Sequence, residues 1–219
     1  MATLLMRISA PLQSWGTQGR FTHRDTEREP SKSGIIGLLC AAQGRPREAD
    51  IADLRALRMG VRVDRPGEII CDFHTAGTDG IYLVEGKVNR RNVIVSERYY
   101  LADAKFLVGL EGEPKLLHEL QDALKRPTWT LFFGRKSCPP AQRIWLPDGL
   151  QDTDLDSALS AYPSLDAYGP PRQRLRLLIE DDTGEIVRND QPMSFATRYF
   201  IRRRLRTLSV SNPAYETEA

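Results

Sequence analysis

The chain has 219 residues, 41% of them hydrophobic, with 31 basic and 29 acidic side chains and a formal net charge of +2. That length buries a real core as one domain, or as one domain with an appendage, and the near-neutral balance excludes a chain that binds polyanions through bulk charge alone. Cys40, Cys71 and Cys138 form no CxxC or Cys/His pattern, which excludes a zinc-type motif and fits free thiols in a reducing compartment.

In chain order, TLLMRIS has strand composition and stops before Pro11, which has no amide for a ladder. The N-terminal run is too short for a signal peptide and Arg7 interrupts it. Nothing approaches the roughly 20 apolar residues of a membrane span, so the expectation is a cytoplasmic protein with no membrane partner. SGIIGLLCAAQG predicts a helix capped by Ser31 or Ser33 and stopped at Gly44, with Gly34, Gly37 and Ala41 permitting close approach to a sheet. ADIADLRAL reads as a second short helix and MGVRVDR as a period-two strand. Residues 68–100 hold β-rich runs separated by Asp79-Gly80 and Glu85-Gly86, with too few apolar neighbours for a core, and they predict an extended arm.

YYLADAKFLVGLEG predicts a strand, and PKLLHELQDALKRP a helix with Leu116, Leu117, Leu120 and Leu124 on one side. TWTLFFGRKS predicts another strand. Without the arm the order is strand, helix, strand, strand, helix, strand, the split βαβ order of a ferredoxin-like or RNA-recognition-type domain. A polar, acidic linker follows, partly helical at LDSALSAYPSLDAYG, then strands at RLRLLIED and EIVRND around an Asp182-Thr183-Gly184 turn. The Arg-rich QPMSFATRYFIRRRLRTLSV predicts a loop leading into a last strand. The fold class is therefore α+β, with a ferredoxin-like domain over 1–147 and a small β-rich region over 148–219.

Charge is distributed unevenly. From Asp148 to Gly169 there are five Asp and no basic residue, whereas Arg188 to Leu208 holds six Arg against one Asp. That separation points to one basic face for a polyanion and another face for something else, or to two solvated surfaces. Arg20, Arg24, Arg28 and Lys32 are four apart and would line one face if 19–32 were helical, tracking phosphates or pairing with Glu27 and Glu29. Lys32 also precedes a helix whose first amides are free to receive a phosphate. Phe132 and Phe133, followed by Gly134, Arg135 and Lys136, would offer one stacking ring and one core ring if they alternate on a strand. Arg198, Arg202, Arg203, Arg204 and Arg206 form the densest positive cluster, where each neutralised phosphate would add close to one unit of salt dependence, and the interleaved Tyr199 and Phe200 would stack or anchor the segment.

Catalysis needs a base, an acid and a cation over the scissile phosphate. His23 with Tyr99 or Tyr100 and Lys32 or Lys136 assembles such a set on paper; His74 reads as a β-surface residue and His118 as a packing residue. No HExxH, GxSxG or Walker A pattern is present, and the expectation is a protein that is not an enzyme, with no catalytic residue, metal or cofactor.

Four motifs in order, MRISAPLQSWG, EPSKSGIIGLLCAAQGR, FFGRKSCPP and DQPMSFATRYFIRRR, resemble the CasD-type subunits of the type I-E CRISPR Cascade complex, within the RAMP superfamily, over nearly the whole length. The resemblance implies a modified RRM (ferredoxin-like) domain, a β-hairpin thumb at about 71–99 and a small C-terminal β domain. It also implies a subunit that caps the 5′ handle of crRNA, contacts a CasC-like backbone subunit and a CasA-like large subunit, and meets target DNA only through the complex. Relatives in another CRISPR subtype cut precursor RNA with a Tyr, Lys and His, whereas type I-E members resemble non-catalytic binders, and no matched triad is clear here. The RNA-binding residues it implies by motif are Gln13, Ser14, Trp15, Gly16, Ser31, Lys32, Ser33, Gly134, Arg135 and Lys136, to which the charge pattern adds Arg20, Arg24, Arg202, Arg204 and Arg206 as a positive channel. Trp15 either stacks on a splayed base or pins its loop to the domain, the anchoring role being preferred. The rival readings are a metal-independent endoribonuclease acting on precursor crRNA and a purely architectural subunit.

Overall fold

A computed structural model describes residues 1–19, 22–77, 80–83, 85–90, 93–166 and 172–214. The chain runs β1 (Ala2–Ser9), β2 (Leu12–Gln13), β3 (His23–Arg24), α1 (Lys32–Gln43), α2 (Ala52–Ala56), β4 (Arg58–Arg65), β5 (Glu68–Ala76), β6 (Ile81–Tyr82), β7 (Val88–Asn89) and β8 (Ile94–Ala102). It continues through β9 (Lys105–Gly112), α3 (Pro114–Lys125), β10 (Trp145–Gln151), α4 (Leu155–Ala161), β11 (Arg174–Glu180), β12 (Ile186–Ser194) and β13 (Tyr199–Ser211). The result is a mixed α/β protein, mostly strand, with four helices among the described residues.

One sheet carries both halves of the chain, in the order β10-β1-β9-β4-β11-β13-β12, with every neighbouring pair antiparallel. Period-two alternation sorts its side chains into two cores. Leu4, Met6 and Ile8 of β1, with Phe106 and Val108 of β9, pack under α1 and α3. Leu5 and Leu107 face the other way, against Leu155 and Leu159 of α4. Gly60 and Gly109 sit opposite each other in register, and a Cβ on either would come within 2.6 Å of a leucine methyl of α4. The helix seats over that bare patch of sheet.

The helices end where the residue types say they should. Ser31 accepts from the Gly34 amide and Gly44 closes α1 in the left-handed region; Glu113 caps α3 ahead of Pro114 and buries Leu117, Leu120 and Leu124. Four sequence readings meet a different structure. TWTLFFGRKS is not a strand: Phe133 and Cys138 bond within a tight turn, and the sheet position beside β1 is taken by β10. YYLADAKFLVGLEG is two strands, broken at Asp103 with φ 53°. Residues 22–31 are not helical, so Arg24 and Arg28 share no helix face with Lys32. The boundary expected at 147/148 falls inside β10.

β5 and β8 form a long antiparallel hairpin from Glu68↔Ala102 to Ala76↔Ile94, enclosing the expected thumb at 71–99, with β6 and β7 paired beyond it. Asp79, in the expected turn with Gly80, lies outside the described residues. The arm keeps Ile69, Ile70, Phe73, Ile94 and Val95 exposed. At its root the other edge of β8 pairs with β2 and β3. No described helix is long and apolar enough to cross a membrane.

Candidate nucleic-acid interface

The PLQSWG loop is built inward. Trp15 is 1% exposed, its ring centroid lies 5.8 Å from that of Phe133, and its indole donates to Gln13 Oε1 at 3.0 Å. Gln13 in turn donates to the Ala104 carbonyl at 2.8 Å. A Cβ on Gly34 would lie 2.9 Å from the Trp15 ring, which is why α1 begins with so small a face. Trp15, Gln13 and Ser14 are buried and anchor the loop to the domain. Gly16 is exposed and abuts the Asp25 backbone.

The Gly134 turn is tied to that loop. Ser14 donates its amide to the Phe133 carbonyl at 3.1 Å. Gly134 has φ 84°, and a Cβ there would sit 1.7 Å from the Ser14 carbonyl oxygen, so only glycine fits. Arg135 donates to the carbonyls of Tyr99, Arg24 and Asp25 at 3.1, 3.0 and 3.3 Å and stacks 4.6 Å over Tyr100. It staples the root of the arm to the 24–25 segment, a structural duty in place of the phosphate contact expected from sequence. Lys136 is exposed.

Lys32 corrects a second expectation. Its side chain is only 3% exposed and its amine lies 2.8 Å from Glu180; burial lowers its pKa, with Glu180 opposing. The anion at the helix start is supplied from within: the Lys32 amide donates to Asp190 at 2.8 Å. Asp190 also takes Arg203 Nε at 2.6 Å, and Arg203 reaches Glu180 at 3.2 Å. Burial pushes the Asp190 carboxyl up, yet the hydrogen bond and charge of Arg203 hold it below the usual carboxylate range. Buried Lys32, Asp190 and Arg203 thus close on one another and on half-buried Glu180, so the helix start already holds an internal anion.

The late arginines divide. Arg206 is bound by Asp156 and Asp181, and Asp156 also meets Arg58 at 3.1 Å, so the acidic and basic stretches of the sequence neutralise each other here. Arg202 and Arg204 line a concavity with Arg58 and Lys32. Arg20 lies outside the described residues.

What does come together is a groove of about 800 Å³ among α1, the 129–134 segment and the β12–β13 turn. Of the expected residues it holds Arg24, Ser33 and Gly134, while Ser31 only caps the helix behind it. It also holds Trp129, Phe132, Phe195 and Phe200, with Arg45, Arg47 and Arg198 and a single acid, Glu48. Trp129 is 48% exposed although its backbone is fixed: its amide and that of Thr128 donate to the Ala41 and Ala42 carbonyls at 3.1 and 2.9 Å. Phe195 and Phe200 meet edge-on at 6.4 Å. Arg45 is paired with Asp53, which leaves Arg47 and Arg198 with no carboxylate partner among the described residues. Arg198 stands at φ 53°, a conformation uncommon outside glycine and one that clusters at ligand sites. Mounted aromatic faces beside unpaired guanidinium groups suit an unstacked base and its phosphate. Sequence reasoning missed Trp129, Phe195 and Arg47, and held Arg198 only as a member of the late arginine cluster; a Trp two residues after Pro127 was the available signal.

Residues 3–206 match the family described as CRISPR-associated protein (Cas_Cas5). The chain belongs to the Cas5 family. This Cas5 chain is 31% identical over 218 residues to the CRISPR system Cascade subunit CasD of Escherichia coli (strain K12), covering 91% of this chain and 92% of that protein. It superimposes with a TM-score of 0.78 on a solved Cas protein at 45% identity, over 96% of this chain and 95% of the other. A chain of a solved CRISPR RNA-guided surveillance complex gives a TM-score of 0.81 at 32% identity, over 97% and 91%.

One further cluster of the Cas5 chain lies at the root of the arm. His23 Nδ1 is 3.3 Å from Glu97 Oε2, Tyr99 donates to the same oxygen at 3.4 Å, and the His23 and Tyr99 rings are 5.1 Å apart. Cys71 first, then desolvation and Glu97, raise the Tyr99 phenol above its ordinary value, so less of it is phenolate near neutral pH. Of the two cations that could complete a cleaving set, Lys32 is buried beside Glu180 and Lys136 is exposed.

Proposed function

We propose that this chain is a non-catalytic subunit of a cytoplasmic CRISPR surveillance complex that holds and caps the 5′ handle of crRNA in the aromatic and arginine-lined groove. The observation that carries the reading is the meeting of the α1 start, the Gly134 turn and Arg198 around one concavity. On this reading the β1-α1-β4-β9-α3-β10 unit, with order β10-β1-β9-β4, is a ferredoxin-like domain of RAMP type and the β5–β8 hairpin is its thumb. The handle is recognised through unstacked bases, 2′-hydroxyls and phosphates, and target DNA is read by the RNA. The exposed aliphatic face of the thumb serves a neighbour of CasC type, and a CasA-type subunit completes the cap.

Titration of the purified chain with handle RNA over a salt series tests this. The groove predicts binding with a negative slope of log K against log salt, reduced in Arg198→Ala; RNA affinity indifferent to groove substitutions would remove it. The His23, Glu97 and Tyr99 cluster favours the endoribonuclease as the second reading. Incubation with repeat RNA in EDTA decides, since specific cleavage lost in His23→Ala would establish an enzyme and intact RNA a binder.

A further inference from the structure

The second concavity, about 1060 Å³, lies between the end of α2, the β11–β12 turn and the β12–β13 ladder. Lys32, Glu180 and Arg203 line it, but with Asp190 they form a closed set that has no charge to spare. Its rim is different. Arg55 and Arg204 donate only to Met193 Sδ and the Gly184 carbonyl, and Arg202 is exposed; none has a carboxylate within salt-bridge distance among the described residues. Val187, opposite Arg204 in register, is 49% exposed. It belongs to β12, which pairs only with β13 at the sheet edge.

Single-stranded RNA is a poor match for this rim. No aromatic side chain lines it, so unstacked bases have no face there to stack on. Three arginines around an exposed valine instead complement a polypeptide that presents carboxylates beside an aliphatic residue. We propose that this concavity is a protein-docking surface, taking an acidic and apolar segment of another subunit of the complex through Arg55, Arg202, Arg204 and Val187. The inference rests on the reading of the chain as a subunit, but not on the RNA groove.

The test uses the complex reconstituted with crRNA. A photo-crosslinking residue at Val187 is expected to join a segment of another subunit that contains Asp or Glu. Crosslinks to RNA or DNA, to a second copy of this chain, or to nothing would overturn the proposal. Replacing both Arg202 and Arg204 by Glu is expected to lower retention of that subunit about tenfold, through faster dissociation. The isolated variant keeps the melting temperature of the parent and its affinity and salt slope for handle RNA. Unchanged retention, or a loss of RNA affinity in this variant, would also overturn it. Failure of the groove reading shows separately, as RNA affinity that Trp129→Ala leaves untouched.

Discussion

The β12–β13 hairpin contributes to two concavities that use the same residue type in opposite ways. At its turn, Arg198 joins Trp129, Phe132 and Phe195 in a groove with one acid. Along its ladder, Arg203 is locked with Lys32 between Glu180 and Asp190. Arg203 is fixed by two internal carboxylates, whereas no carboxylate reaches Arg198 among the described residues, which leaves it available to a ligand on the proposed reading. Counting arginines along 198–206 does not separate these roles; the positions of Glu180 and Asp190 do.

The largest effect should come from breaking the locked side. Asp190→Ala leaves Arg203 buried with half its partners and the first amide of α1 unfilled, a loss of about 3–5 kcal/mol, read as a lower melting temperature with the groove sequence intact. The same carboxyl sets a pH dependence. Its folded pKa lies below the ordinary value of about 3.9, so its contribution is present above that value and is lost as pH falls through the folded pKa. Acid unfolding of the parent, followed below about pH 4, should therefore be much weaker in Asp190→Asn relative to its neutral-pH stability. Gly134→Ala should be comparably damaging at the boundary of the groove, because its Cβ would strike the Ser14 carbonyl at 1.7 Å; calorimetry checks it.

On the open side the effects fall on binding and leave stability alone. Trp129→Ala should weaken handle RNA by about 1–3 kcal/mol with an unaltered melting curve, seen as well in loss of the tryptophan fluorescence change on RNA addition. Arg47→Ala and Arg198→Ala should each reduce the salt slope by about one unit. Arg206→Ala is expected to have the smallest effect on RNA, no change in affinity or slope, since Asp156 and Asp181 already hold that side chain.

Local signals told most where one element decides its own fate. The Ser31 cap, the Gly44 stop, the leucine stripe of α3 and the arm at 71–99 were all readable, because capping, periodicity and poor apolar content act within a few residues. Anchoring by Trp15 was readable as the commoner use of an aromatic beside a tight loop. The strand expected at 128–137 was not stopped by composition. It was displaced when β10 took the place beside β1, a competition between segments that neither sequence window contains.

The amino-acid sequence alone determined the α+β class, the helix ends and the presence of a projecting hairpin, since these follow from backbone chemistry and side-chain period over short range. Only the tertiary structure decided which cations stay available. Glu180 is 148 positions from Lys32 and Asp190 is 158, and a Coulombic partner brought that close by sheet pairing cancels a charge that the linear chain advertises as free.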